Sequence, residues 1–525
     1  MHNKILFFTI LVFFVFTVHV TRTRAEKQSL TEVNKILKDA NHAFVNHNFT
    51  KAIDLYKQVL HMAGQIPGIH FNIGKSYYML KNNNKAIKYF HNAIKIDPNY
   101  QRAYQSLGTL YTSKNKHKEA IVYLQKAIEL KKDDYIAHMN LASNLLSLQA
   151  YTHAEKYYMD LQPLFPNKFD VFYNTAYSMK LQGKYQESIP YYLKAIDINP
   201  NREEPYLGLA KAYLATGNLL EGWNYFEWRF LDCKKHNEKF FYKNLSPKDL
   251  AGKILYIRGE WGLGDMIHFI RYLQLAKQEG ATVYLQIHKP LEKLFSLCPY
   301  IDRIIPHGDK IPHFDIQMPV MSLPLLFKTT LETIPANIPY LYANQELVKL
   351  WREKLAHDKN FKIGICWHAK PIFLEENYLT RRSIPLNDFA ILADIPNVSF
   401  YSLQKIYGTK ELENIPSHFK INTFGPDFDE SHGRFMDTAA VIQNLDLVIT
   451  ADTSIVHLAG ALGKPVWILI PYVPEWRWMQ NTDKTPWYPK AKLLRQEKPI
   501  DWTHVMKKVK KLLEHVTTNK RKEKS

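Results

Sequence analysis

A period of thirty-four residues governs the first half of the chain. Stepping from Ala40 by that interval gives Gly74, Gly108, Ala142, Ala176 and Ala210, all small. A second series runs Ala52, Ala86, Ala120, Ala154, Ser188 and Gly222, and a third places Pro98, Pro166 and Pro200, with Lys132 where another proline would fall. Small residues at a fixed interval mark places where two helices approach closely, and proline marks where the second helix of each pair stops. Because one helix pair cannot bury its apolar face alone, the period predicts a stack, here six units over residues 30–231.

These series resemble the tetratricopeptide repeat. That resemblance implies an α-solenoid in which the first helix of each pair lines a concave groove. Two positions before the first series stand Asn72, Asn140 and Asn174, with Ser106 in register. An asparagine row can bond both the N–H and the C=O of an extended peptide, so a peptide in the groove is one expectation. Small polar residues also suit a solvated concave face, and a spacer or oligomerisation role is the other.

After "EGWNYFEWRF" the period stops and the pattern changes. Beyond residue 250, short β-branched or aromatic runs alternate with helical stretches: "KILYIRG", "ATVYLQI", "KIGICWH", "VSFYSL", "LDLVIT" and "PVWILI". Such alternation predicts parallel sheets covered by helices, in two doubly wound Rossmann-like domains over 250–345 and 346–515. A chain of 525 residues also exceeds what one core serves. Ligands of such sheets sit at the carboxyl ends of the strands, so the cleft between the two domains is the expected site.

Two stretches lead to that cleft. In the second domain, "LDLVIT" reads as a buried strand, "ADTS" as its exit and "IVHLAGAL" as a helix capped by Thr453 or Ser454. The start of that helix would suit a diphosphate, with Asp452 able to accept sugar hydroxyls and His457 one turn along. The bland alternatives are an ordinary cap and a packed histidine. In the first domain, Gly259, Gly262 and Gly264 of "RGEWGLGD" fit neither the dinucleotide fingerprint nor a phosphate loop, and an acid follows them. The glycines then serve a tight turn from strand to helix, leaving Asp265 at the helix start, either as a catalytic carboxylate or as an exposed cap.

"GLGDMIHFIRYL", "GICWHAKP", "RRSIPL", "YSLQK", the run from "MDTAAV" to "PVWIL", "EWRWM" and "PWYPKAKLLRQ" together resemble the glycosyltransferases related to bacterial heptosyltransferases, fused behind tetratricopeptide repeats. This resemblance implies a GT-B pair of domains and metal-independent transfer with inversion from a nucleotide-diphosphate sugar, with no other cofactor. It implies Asp265 as the general base toward the acceptor hydroxyl and Asp452, Thr453, Ser454 and His457 as the donor phosphate and sugar site. Arg382, with Arg381 beside it, would neutralise the diphosphate, and Gln404 would lie near the nucleoside, where the family often has an acid. The acceptor would be a protein or a glycan. Two alternatives stand beside this reading: a protein O-linked N-acetylglucosamine-type transferase, and a non-enzymatic scaffold with a decayed transferase half.

The remaining features bound partners and location. A formal charge of +19 invites an anionic partner, but the lysines are scattered and no nucleic-acid module accompanies them, so no nucleic acid is expected. Cys233, Cys298 and Cys366 follow no metal or disulfide spacing. From Ile5 to Val20 the sequence carries no Lys, Arg, Asp or Glu, and "TRTRAEK" follows. Residues 1–25 read as a cleavable signal or as an uncleaved anchor whose basic flank keeps the catalytic part cytoplasmic. Residues 516–525 read as a basic disordered tail.

Overall fold

A computed structural model describes residues 24–230, 244–370 and 379–522, which divide into two compact units at Leu148 and Gln149. The segment read as a signal or anchor lies almost wholly outside these residues, as does Cys233. Among the described residues no helix is long and apolar enough to cross a membrane.

The first unit holds three helix pairs, Arg24–Val45 with Phe49–Ala63, Pro67–Met79 with Asn83–Ile96 and Gln101–Ser113 with His117–Leu130, followed by the single helix Tyr135–Ser147. Both small-residue series are buried throughout the chain. The cause is visible at Gly74, where an added Cβ would lie 2.7 Å from the Phe90 ring and 3.3 Å from the Ala86 carbonyl, and at Gly108, where it would lie 2.4 Å from Leu124. Each pair turns through a left-handed residue at the same interval: His47, Lys81 and Asn115 here, all with φ between 56° and 59°. Asn48 and Asn82, one position later, cap the second helices by accepting from Lys51 N and Lys85 N.

The second unit opens with the helix Tyr151–Leu161 and the pairs Phe169–Leu181 with Tyr185–Ile198 and Glu204–Ala215 with Leu219–Phe226. It continues into an α/β region of two parallel sheets, so the chain joins tetratricopeptide helical repeats to a Rossmann-like pair. The first sheet contains β1 (Ile254–Arg258), β2 (Thr282–Ile287), β3 (Arg303–Pro306) and β4 (Ile316–Pro319), in the order β3-β2-β1-β4. The second contains β5 (Phe361–Cys366), β6 (Val398–Ser402), β7 (Ile421–Asn422), β8 (Leu447–Ala451), β9 (Val466–Ile470) and β10 (Ala491–Arg495), in the order β7-β6-β5-β8-β9-β10. The strands β8 and β9 are buried at every residue, as central parallel strands covered on both faces must be.

Four strands, β3, β4, β7 and β10, had no counterpart among the expected runs. β3, β4 and β7 are two to four residues long, too short to show a period, and β10 is as long as β8 but is broken by Lys492 and ends in Arg495. The closing helix, Trp502–Lys522, also differs from the expected disordered tail. Val505, Val509 and Leu513 bury one stripe of it in the core of the second sheet, Val516 continues that stripe, and the Thr517 hydroxyl donates to Leu513 O. The lysines of "MKKVKK" form its outer face, so the basic run belongs to an amphipathic helix.

Candidate functional site

Each sheet reverses its strand order once, between β1 and β4 and between β5 and β8. In doubly wound sheets such reversals open a crevice at the carboxyl ends of the strands. Here both reversals face one cleft of about 450 Å³. Gly262 to Asp265 line it from beyond β1, Cys366 and His368 to Lys370 from the end of β5, and Asp452 to Ile455 from beyond β8. The size suits a small molecule.

The glycine-rich turn is explained by close approach. A Cβ on Gly259 would lie 2.6 Å from the Gln286 carbonyl of β2, and one on Gly264 would lie 3.1 Å from the His457 ring and 3.4 Å from Ser454 Cα. Gly264 thus lets the helix Leu263–Phe269 lie against the helix Ser454–Ala461, bringing the starts of both to the cleft. Asp265 is the third residue of its helix, and one carboxylate oxygen accepts from Gly262 N at 3.1 Å. The other accepts from Arg477 Nη2 at 2.5 Å. Arg477 is itself buried and donates through Nη1 to Glu475 at 2.8 Å. Burial pushes the Glu475 carboxyl up, Arg477 pulls it back, and Asp452 and Asp265 add to the rise.

Across the cleft, Thr453 is the cap of its helix, accepting from Ile455 N at 3.2 Å. Arg382 donates to the Asp452 carbonyl at 3.3 Å and lines the cleft, whereas Arg381 is exposed and does not line it. His457 is buried and shares a hydrogen bond between Nδ1 and the Tyr488 hydroxyl at 2.9 Å. Burial, then the guanidinium groups of Arg477, Arg271 and Arg382, hold His457 well below the usual histidine range, so it is neutral at pH 7. Asp265, Arg382, Gln404, Asp452, Thr453, Ser454 and His457 therefore meet in one place.

Gln404 behaves differently from its neighbours. Its carbonyl accepts from Trp367 N at 3.0 Å and His368 N at 2.9 Å, and its amide donates to His368 O and Tyr407 O at 3.0 and 2.7 Å. Its polar atoms brace the exit of β5, so it shapes the wall. The asparagines of the repeats lie outside the cleft. Asn72, Asn140 and Asn174 are each half-buried on the first helix of a pair, and Asn140 donates to Thr109 at 2.9 Å.

Sequence reasoning missed Glu475 and Arg477, although "EWRWM" was noticed as a stretch. Their value comes from a contact across 212 positions, which no spacing reveals. It also missed His268 and Arg271, which are fully buried under the site. Arg271 donates to the Trp487 carbonyl at 2.8 Å, tying the helix Arg271–Gln278 to the second domain, and to the Tyr340 hydroxyl at 2.9 Å within the first.

Residues 67–100 and 101–134 match models of the tetratricopeptide repeat, and residues 176–217 match a TPR repeat model. Protein FlbA of Caulobacter vibrioides is 25% identical over 321 residues, which cover 57% of this chain and 53% of FlbA. The chain thus spans about half the length of the curated relative it matches. Among solved structures, a MamA protein is 21% identical and covers 32% of this chain and 92% of its own, with a TM-score of 0.30. YrrB, a TPR protein with an unusual peptide-binding site, is 15% identical, with 35% and 93% covered and a TM-score of 0.31. PilF of Pseudomonas aeruginosa is 14% identical, with 41% and 94% covered and a TM-score of 0.35.

Proposed function

We propose that this chain is a glycosyltransferase of GT-B type, moving a sugar from a nucleotide-diphosphate sugar to an acceptor hydroxyl with inversion, while its repeats bind a protein partner or acceptor peptide. The observation that carries the reading is the meeting of Asp265, from the turn after β1, with Arg382 and the capped start of the helix Ser454–Ala461 in one cleft. A base and an anion site brought into one cleft are what such a displacement needs.

In this reading the diphosphate lies at Thr453 to Ile455, where peptide dipoles and Arg382 stabilise the charge that grows on the leaving group without reorganisation. The planar Arg fork can engage two phosphate oxygens. His457 donates from Nε2 if Tyr488 donates to its Nδ1, and Asp452 accepts sugar hydroxyls. Asp265 takes the acceptor proton as the new bond forms. Arg477 and Gly262 N hold both its oxygens in place, and each oxygen retains a second lone pair. The nucleoside lies along the wall from Leu403 to Tyr407. In the repeats, Asn72, Asn140 and Asn174 hold the partner's backbone.

The test is a panel of nucleotide-diphosphate sugars assayed for released nucleotide diphosphate, with Asp265→Asn and Arg382→Ala beside the wild type. Asp265→Asn is expected to keep nucleotide-diphosphate binding and lose about a hundredfold or more in transfer. Arg382→Ala is expected to weaken binding and transfer together by about ten- to a hundredfold. No turnover of any donor by wild-type protein, with no binding of the nucleotide diphosphates by calorimetry, overturns the reading.

A further inference from the structure

The late repeats do more than precede the α/β region. The loop between β9 and β10 carries Glu475 and Arg477, and the repeats grip it with hydrogen bonds and ring packing. The Tyr185 hydroxyl donates to the Pro474 carbonyl at 2.9 Å. Gln480 Nε2 donates to the Gly183 carbonyl at 2.5 Å. Between them Trp223, fully buried in the last repeat helix, meets the Trp476 ring edge to face, with centroids 5.3 Å apart.

The same indole reaches the other side of the site. Trp223 also lies edge to face with Phe269, 6.0 Å between centroids, and Phe269 ends the short helix on which Asp265 stands. Arg477 closes the arrangement, its guanidinium 4.4 Å from the Trp476 ring centre and 5.4 Å from that of Phe269. One side chain of the repeat array thus packs against both the residue beside Arg477 and the helix bearing Asp265. The two partners of the Asp265–Arg477 bond come from different domains, so their separation depends on what lies behind them. That backing is Trp223.

We propose that Trp223, with Tyr185, is a positioning residue of the cleft: the last repeats set the geometry of Asp265 against Arg477. The proposal rests on the transfer reading for its kinetic consequence and on packing alone for its structural one. Displacement of a reacting group by about 1 Å can cost up to about a hundredfold in rate while leaving substrate binding nearly intact. The repeats are then part of the catalytic apparatus as well as a platform for partners.

The test uses the full chain with Trp223→Leu, which stays apolar but is smaller and loses the ring contacts with Trp476 and Phe269, Trp223→Phe, which restores a ring, and Tyr185→Phe. Two readouts are taken: steady-state transfer from whichever nucleotide-diphosphate sugar the wild type turns over, and amide hydrogen exchange. In Trp223→Leu we expect kcat to fall about ten- to a hundredfold with the donor KM within threefold, and Trp223→Phe to recover most of the loss. Exchange should quicken about tenfold in 473–479 and 262–269 while β8 and β9 stay as in the wild type. Tyr185→Phe should give the same pattern with a loss of about threefold. A folded Trp223→Leu with kcat unchanged, unaltered exchange in those two segments, or exchange quickened equally through both sheets overturns the proposal. Should Trp223→Leu not fold, Tyr185→Phe decides by the same criteria. Should the wild type turn over no donor, the transfer reading falls, and the exchange arm still decides whether Trp223 holds the two segments.

Discussion

The early and late repeats are written in one code and read differently at a single position. The left-handed turn residue of each helix pair is His47, Lys81, Asn115 and Gln149 in the first four repeats, all exposed, and Gly183 and Gly217 in the last two. The backbone conformation is shared, so the change to glycine is not a demand of the turn. At Gly183 an added Cβ would lie 3.3 Å from Val473, and at Gly217 it would lie 3.1 Å from Met479 and 3.2 Å from Leu331. Glycine appears where a second surface arrives. A repeat that only stacks tolerates a side chain at its turn, whereas a repeat that also seats the α/β region cannot.

Exposed ion pairs occur in both regions, as at Lys194–Asp197, but a buried one stands at the end of the late repeats. Arg229, just after the last repeat helix, is buried between Glu227 at 2.7 Å and Glu260 at 3.0 Å, and also donates to Ser322 at 2.8 Å. The ion pairs of the early repeats, Lys116–Glu119 and Lys126–Glu129, are exposed and local. Arg229→Met should therefore cost about 3–5 kcal/mol, since it leaves two buried carboxylates without their counter-charge. Lys126→Met should stay within about 0.5 kcal/mol. All ten tryptophans lie between residues 223 and 502, so urea melts followed by their fluorescence read Arg229→Met in the second unit, and melts followed by far-UV circular dichroism read Lys126→Met in the first. Equal effects of the two substitutions would erase the distinction.

Acid should act next, and unequally. Burial first, then neighbouring arginines, hold His268 and His457 well below their ordinary range, whereas His70 and His91 of the early repeats are lowered less, by burial alone. A histidine whose folded pKa lies below its unfolded value of about 6.5 stabilises the fold above that pH. The contribution is lost as pH falls below it, because the unfolded chain then binds the extra proton. The fluorescence-detected melting temperature should drop between pH 7 and pH 5, and in His268→Gln the drop should shrink. A drop unchanged in that variant would assign the acid sensitivity to other groups.

Smaller effects sharpen the comparison at the turns and caps. Gly217→Ala forces a side chain into a left-handed backbone against Met479 and should cost about 1–3 kcal/mol, while Lys81→Ala should change stability by no more than about 0.5 kcal/mol. The caps should not distinguish the regions. Asn82 accepts from Lys85 N and Asn218 from Glu221 N, so Asn82→Ala and Asn218→Ala should each cost about 1 kcal/mol in denaturant melts. A much larger loss at Asn218 would mean that this turn, too, is held by the α/β region.

The repeats were legible because their constraint is local and recurs: a residue that must be small to let Phe90 or Leu124 approach returns every thirty-four positions. The longer strands were legible for a similar reason, as β8 and β9 are almost wholly apolar, β-branched runs that suit a doubly covered sheet. Of the cleft, Asp265 and the segment Asp452 to His457 could be read, since each stands at the exit of a recognisable strand. The sequence by itself therefore determined the stacking period, the two parallel sheets and the strand exits that carry the site. Only the tertiary structure decided that Arg477 holds Asp265, that Gln404 is occupied in bracing β5, and that Trp223 packs against both Trp476 and Phe269. The reason is physical: a helix or strand announces itself through its own periodicity, but an ion pair spanning 212 positions, or an indole placed behind it, leaves no mark until the chain has closed.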